Sequence, residues 1–153
     1  MDRVLIDPLV ASAQRVIATM LQMTLETRDE TELPLAPAEV CATVHLRGDL
    51  VGEVVLEFPR TTAVRYVERL TGRSVEPGSP MVADAVGELA NMIVSGLRSM
   101  MDIRRVEVGF PVLGSGAGVR DRDAARVVCT SACGDFVLGA VLHGATVGSR
   151  AAS

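Results

Sequence analysis

The sequence predicts an α+β domain in which a mainly antiparallel sheet packs against one long helix and an N-terminal helix. Three observations lead there. Apolar residues recur at helical spacing in two long stretches, from Pro8 to about Met23 or Leu25 and from Met81 to about Met101. Strand-like stretches come in neighbouring pairs, Val40–Leu46 with Leu50–Phe58 and Ala125–Cys133 with Asp135–His143, with a glycine near each join. Helices and strands do not alternate one for one, which argues against a parallel βαβ sheet. A chain of 153 residues suits one domain with a real core, and two would be crowded. Residues 1–146 read as that domain, and 147–153, small and polar, as a frayed tail.

Each element has a local cause. Asp7-Pro8 reads as an N-cap followed by proline at the first helical position, and Leu9, Val10, Ala13, Val16, Ile17, Met20 and Leu21 supply the apolar face. A polar stretch with two prolines, Thr27 to Pro37, separates this helix from the sheet. Arg47-Gly48-Asp49 turns the first hairpin and Pro59 stops it. Thr61 or Thr62 is a candidate cap for a short helix carrying Val64, Val67 and Leu70 and ending at Gly72. After the loop Ser74–Pro80 comes the long helix, then an extended segment from Arg105 to Val112 and a glycine-rich loop, residues 114–118.

Composition removes several function classes. Hydrophobic residues make up 48% and charged residues 22%, a globular and not a disordered composition. Net charge is −4, the wrong sign for a general nucleic-acid binder. The aromatics are only Tyr66, Phe58, Phe110 and Phe136, too few for a base-stacking platform. Lysine is absent, which excludes a Walker-type phosphate loop and a Schiff-base enzyme. Three cysteines make no disulfide framework. Asp2 and Asp7 interrupt any secretory leader, and no uninterrupted apolar run approaches the roughly 18 residues that a membrane span needs. A cytoplasmic protein without membrane attachment is expected.

The long helix carries the functional signal. At 3.6 residues per turn, Asp84, Glu88, Asn91, Ser95 and Arg98 fall within an arc of about 80°. Val82, Ala85, Val86, Leu89, Met92, Ile93, Gly96, Leu97 and Met100 are expected to form the buried face. Ala83, Gly87 and Ala90 flank the stripe and are small, which would let a partner approach the helix backbone closely. Gly87 costs about 1 kcal/mol relative to alanine in a helix interior. Most such stripes are plain solvated faces. Here the stripe lies in a specific string, Asp84-Ala85-Val86-Gly87-Glu88-Leu89-Ala90-Asn91-Met92-Ile93-Val94-Ser95-Gly96.

That string resembles the signature of the CheC/CheX/FliY family of chemotaxis phosphatases, in which an acidic residue or Ser is followed by three residues, Glu, two residues and Asn, then usually Met-Ile and a small residue. Asp84, Glu88, Asn91, Met92, Ile93 and Gly96 match in place. The first helix has neither Glu nor Asn before Glu26, so a single Glu-x-x-Asn site is present, which resembles the CheX type.

The resemblance implies hydrolysis of the aspartyl phosphate of a response regulator such as phosphorylated CheY. Asn91 would orient the attacking water and Glu88 would pair with the regulator's active-site lysine. Asp84, Gly87, Ser95 and Arg98 would be partner contacts. Mg²⁺ would sit in the regulator, with no metal or cofactor of this chain's own, and two copies would pair through their sheets as a homodimer. The residues themselves agree with this division of labour. Side chains three apart on a helix reach one partner site, and a carboxamide accepts and donates hydrogen bonds without titrating. Glu88 is a poor general base, because its charge would repel phosphoryl oxygens. The alternatives are a non-catalytic adaptor or dimerisation module that binds a receiver domain, and a flagellar switch component.

Other signals carry less. Cys129 and Cys133, four apart in one expected strand, could meet His45 or His143 at a metal, but zinc sites normally show tighter or paired spacing. Arg47-Gly48-Asp49 reads as a hairpin turn and not as an adhesion tripeptide, and the glycine run 114–118 lacks the helix and lysine of a phosphate cradle.

Overall fold

The 40–58 hairpin forms as its alternation dictates. Val40, Ala42, Val44 and Leu46 of one strand, and Leu50, Val54, Leu56 and Phe58 of the other, point to one face and are buried there. In a computed structural model of the chain, residues 3–29, 38–101, 106–109, 112–114 and 125–145 are described. The elements are α1 (Arg3–Leu21), β1 (Glu26–Asp29), β2 (Val40–Gly48), β3 (Leu50–Phe58), α2 (Arg60–Thr71), α3 (Pro80–Met100), β4 (Val106–Val108), β5 (Val112–Gly114), β6 (Ala125–Ser131) and β7 (Gly134–Ala145). The strands form one seven-stranded sheet in the order β1-β6-β7-β3-β2-β4, with β5 also on β2, and every pairing is antiparallel. The expected α+β class is therefore the observed one. The tail 147–153 and residues 115–118 of the glycine run lie outside the described residues.

One core joins all three helices to the sheet. Leu5, Ile6, Leu9, Ala13 and Ile17 of α1, Ala63 and Val67 of α2, and Val82, Val86, Ala90, Ile93, Val94 and Leu97 of α3 share it with the inward residues of β2, β3, β6 and β7. Its aromatic centre is Phe58 stacked on Phe136, with centroids 4.4 Å apart, and Tyr66 set edge-on to both. Tyr66 keeps its hydroxyl on Ser131 Oγ at 2.9 Å. On the opposite sheet face Val55, Val128, Val137 and Val141 are buried too, beside a 2.6 Å ion pair between Arg126 and Glu57.

Several boundaries differ from the sequence reading, each for a physical reason. Helix α1 begins at Arg3, so Pro8 lies inside it and not at its first position. Burying Leu5 and Ile6 favours the extra turn. Pro8 removes only the bond to the Val4 carbonyl, near a helix end where Val4 is itself exposed. The helix stops at Leu21 because Gln22 turns to φ 53°, and Arg69 of α2 donates to the Leu21 and Gln22 carbonyls at 2.7 and 3.2 Å. By length and composition Val4–Leu21 is apolar enough to cross a bilayer, although Asp7 and Arg15 interrupt it. Its apolar face lies in the core just described.

The polar stretch Thr27 to Pro37 begins inside an edge strand, Glu26–Asp29, that pairs with β6. Helix α2 starts at Arg60 after Pro59, and neither threonine caps it. Thr62 is buried, and the Arg60 N–H donates to the Glu39 carboxylate at 3.3 Å instead. The single extended segment expected over 105–112 is two short strands on one edge of β2. Between Leu46↔Val108 and Thr43↔Val112 the edge chain advances four residues against three of β2, which breaks the ladder. Strand β6 ends at Ser131, so Cys133 lies in the turn before Gly134, which takes φ 116°.

Replacing Phe136 with Ala removes the stacked centre of the core. The unfolding free energy is expected to fall by about 3–5 kcal/mol in urea denaturation, with the dependence on denaturant unchanged.

Candidate functional site

Helix α3 is built to present side chains. Ser79 caps it, accepting from the Met81 N–H at 3.2 Å, and Pro80 opens it where no donor is needed. Asp84, Glu88, Ser95 and Arg98 are exposed on it, and Asn91 is partly exposed between them. All five lie on one side, as the wheel requires. Among the described residues no hydrogen bond or ion pair ties down the side chain of Glu88 or Asn91. Three residues apart, they stand one turn from each other on an open face.

The buried face is rotated relative to the sequence reading. Its centre runs along Val86, Ala90, Val94 and Leu97, and it reaches round to Gly87. Gly87, expected as a small partner contact, is therefore buried within the chain, and Ala90 with it. Val94, one heptad on from Gly87, is drawn into the core and takes Gly87 with it. On the other flank Ala85, Leu89 and Met92, expected to be buried, are only partly covered. They line an apolar cavity of about 150 Å³ with Met20 of α1 and Tyr66 and Leu70 of α2. Glu88 stands at its rim. Sequence reasoning missed this cavity. Its one signal was Met92, which borders the polar stripe on the wheel.

Beneath the stripe the ionisable core groups are inert. Burial pushes the Cys129 thiol up to about 12 and raises the Tyr66 hydroxyl beyond any working pH. Burial raises Cys133 as well, against the lowering influence of Arg69 and Arg65. No group of three or more His, Cys, Asp or Glu side chains gathers among the described residues. Cys129 and Cys133, once strand and turn are separated, do not share a strand face.

The geometry defines a class. This is a helix-on-sheet domain whose longest helix displays a Glu-x-x-Asn pair outward. The family described as chemotaxis phosphatase CheX matches residues 40–132, more than half of the chain, and the protein belongs to that family. The fold is similar to that of the chemotaxis protein CheX from Vibrio vulnificus, at TM-score 0.75 and 21% identity, covering 91% of this chain and 96% of that one. It is similar to a CheC-like superfamily protein from Shewanella sp. PV-4, at TM-score 0.77 and 21% identity over 94% and 100%. It also matches a chain of the CheX–CheY–BeF₃–Mg²⁺ complex from Borrelia burgdorferi, at TM-score 0.72 and 14% identity over 92% and 98%. No curated protein matches the sequence.

Two outcomes follow from these placements. Glu88 is exposed and Asn91 partly exposed, with no hydrogen bond or ion pair to lose among the described residues, so Glu88→Ala and Asn91→Ala are each expected to change stability by less than about 0.5 kcal/mol in thermal denaturation. The raised thiol of Cys129 has the opposite reach. A group whose folded pKa lies above its unfolded value stabilises fully below the unfolded pKa of 9.0 and loses that contribution as pH rises toward about 12. Stability is expected to decline above pH 9, and less steeply in Cys129→Ala, in urea titrations run from pH 7 to 10.5.

Proposed function

We propose that the protein hydrolyses the aspartyl phosphate of a CheY-type receiver domain, in the cytoplasm where such receivers work. The observation that carries the reading is the outward, untethered Glu88–Asn91 pair on α3. It is supported by membership of a phosphatase family and by a fold shared with a chain solved in complex with CheY, BeF₃ and Mg²⁺.

The chemistry needs little from this chain beyond placement. Water attacks phosphorus, the bond from phosphorus to the aspartyl oxygen breaks, and aspartate and inorganic phosphate leave. The transition state is loose, so the dominant contribution is holding the water in line with the leaving oxygen. The Asn91 carboxamide suits that role, since its oxygen accepts from the water and its NH₂ donates without adding charge beside the phosphoryl group. Glu88 pairs with the receiver's lysine and fixes the register of the helix in the receiver's pocket. Water is excluded around such a pair at the interface, which strengthens it. The Mg²⁺ belongs to the receiver's own acidic site. Asp84, Ser95 and Arg98 lie further along the same exposed face and make rim contacts. Gly87, being buried, makes none. Two copies pair through their sheets.

A receiver domain phosphorylated with acetyl phosphate tests the reading. Asn91→Ala is expected to lower the catalysed rate of phosphate release at saturation by at least about a hundredfold with little change in KM. Glu88→Ala is expected to raise KM by about ten- to a hundredfold. An Asn91→Ala protein as fast as wild type sinks the proposal. Light scattering is expected to return about twice the 16.1 kDa chain mass.

A further inference from the structure

Among the described residues, one side-chain hydrogen bond crosses the contact between α1 and α3. Ser12, in the middle of α1, is 1% exposed. A buried hydroxyl is costly unless it is bonded, and Ser12 Oγ donates to the main-chain carbonyl of Ile93 on α3 at 2.6 Å. Gly96 lies against the same hydroxyl. A Cβ at position 96 would overlap Ser12 Oγ and stand 3.3 Å from Ser12 Cβ. The missing side chain therefore makes a notch in α3 into which Ser12 fits, with a hydrogen bond at its side. Glycine is a poor helix residue, so its presence here calls for a reason, and the notch supplies one.

The notch lies close to the functional pair. Ile93 is two residues past Asn91, and Gly96 follows Ser95 of the stripe. Apolar packing is non-directional and resists rotation or sliding of α3 only weakly. Seating a hydroxyl between the Ile93 carbonyl and Gly96 fixes both. The consequence for Asn91 is large. A rotation of about 10° moves a side-chain tip on a helix of radius about 5–6 Å by about 1 Å, and a 1 Å misplacement of a catalytic group costs on the order of a hundredfold in rate.

We infer that Ser12 and Gly96 form a register lock that positions Asn91, an inference that rests on the hydrolase reading above. Neither residue touches the receiver; both act through α3.

The test compares wild type with Ser12→Ala, Gly96→Ala, the double variant and Asn91→Ala. Three measurements are made: native-state hydrogen exchange along α3, melting temperature, and kcat and KM on the receiver phosphorylated with acetyl phosphate. Ser12→Ala is expected to melt within about 5 °C of wild type, to exchange about tenfold faster between residues 92 and 98, and to lose about tenfold in kcat with KM within about twofold. Gly96→Ala melts lower, because its methyl collides with Ser12. Adding Ser12→Ala removes the oxygen that collides and recovers part of the melting temperature but none of kcat, since the hydroxyl is still missing. A purely structural role would recover the two together.

Wild-type kcat in Ser12→Ala overturns the inference, whatever the exchange shows, and so does unaltered exchange. If wild type releases phosphate no faster than Asn91→Ala, the hydrolase reading fails and the positioning role falls with it. If wild type outpaces Asn91→Ala while Ser12→Ala keeps its full rate, the lock alone is wrong.

Discussion

Helix α3 is gripped along one side, and the structure follows from how that grip is made. Val82, Val86, Ala90, Ile93, Val94 and Leu97 are almost wholly removed from water in the core shared with the sheet. At about 25 cal/mol per Å² of apolar surface this burial is the main force holding the helix. It asks nothing of the opposite side. Asp84, Glu88, Asn91, Ser95 and Arg98 are thereby left on the outer side, and a rigid element carries them. A site on a loop would reach as far but would hold its geometry less well.

Under the proposed function the same constraint would set the division of labour with a receiver. The receiver would bring the covalent phosphoryl group, the magnesium ion and the lysine. This chain would bring a carboxamide, a carboxylate and a fixed distance between them. The fold itself is kept in solved chains with about one residue in five identical.

Legibility in the sequence tracked how local each cause was. The stripe on α3 and the 40–58 hairpin were readable because period and burial coincide there. Helix α1 was readable as a helix but not its start, because Leu5 and Ile6 extend it past a signal, Asp7-Pro8, that is strong on local grounds. Strand β1 was invisible. Its residues, Glu26, Thr27, Arg28 and Asp29, carry no apolar alternation, and pairing with the distant β6 places them in the sheet. Within the site, Glu88 and Asn91 were singled out by the likeness of residues 84–96 to a family signature, and spacing alone said only that they share the polar stripe. Burial of Gly87 and the incomplete cover of Leu89 and Met92 were not legible, because they depend on how α3 is rolled against β2, α1 and α2. Neither was the pairing of Ser12 with Gly96, two residues that lie 84 positions apart.

Strand β1 has one more consequence. A sheet ends in unsatisfied peptide groups that invite a stray chain to add itself. Here the margin beside β6 is four residues long, Glu26 and Arg28 face solvent along it, and Arg28 is tied to Asp135 at 2.7 Å. Among the described residues, a border so brief and so charged gives an intruding polypeptide little to zip onto.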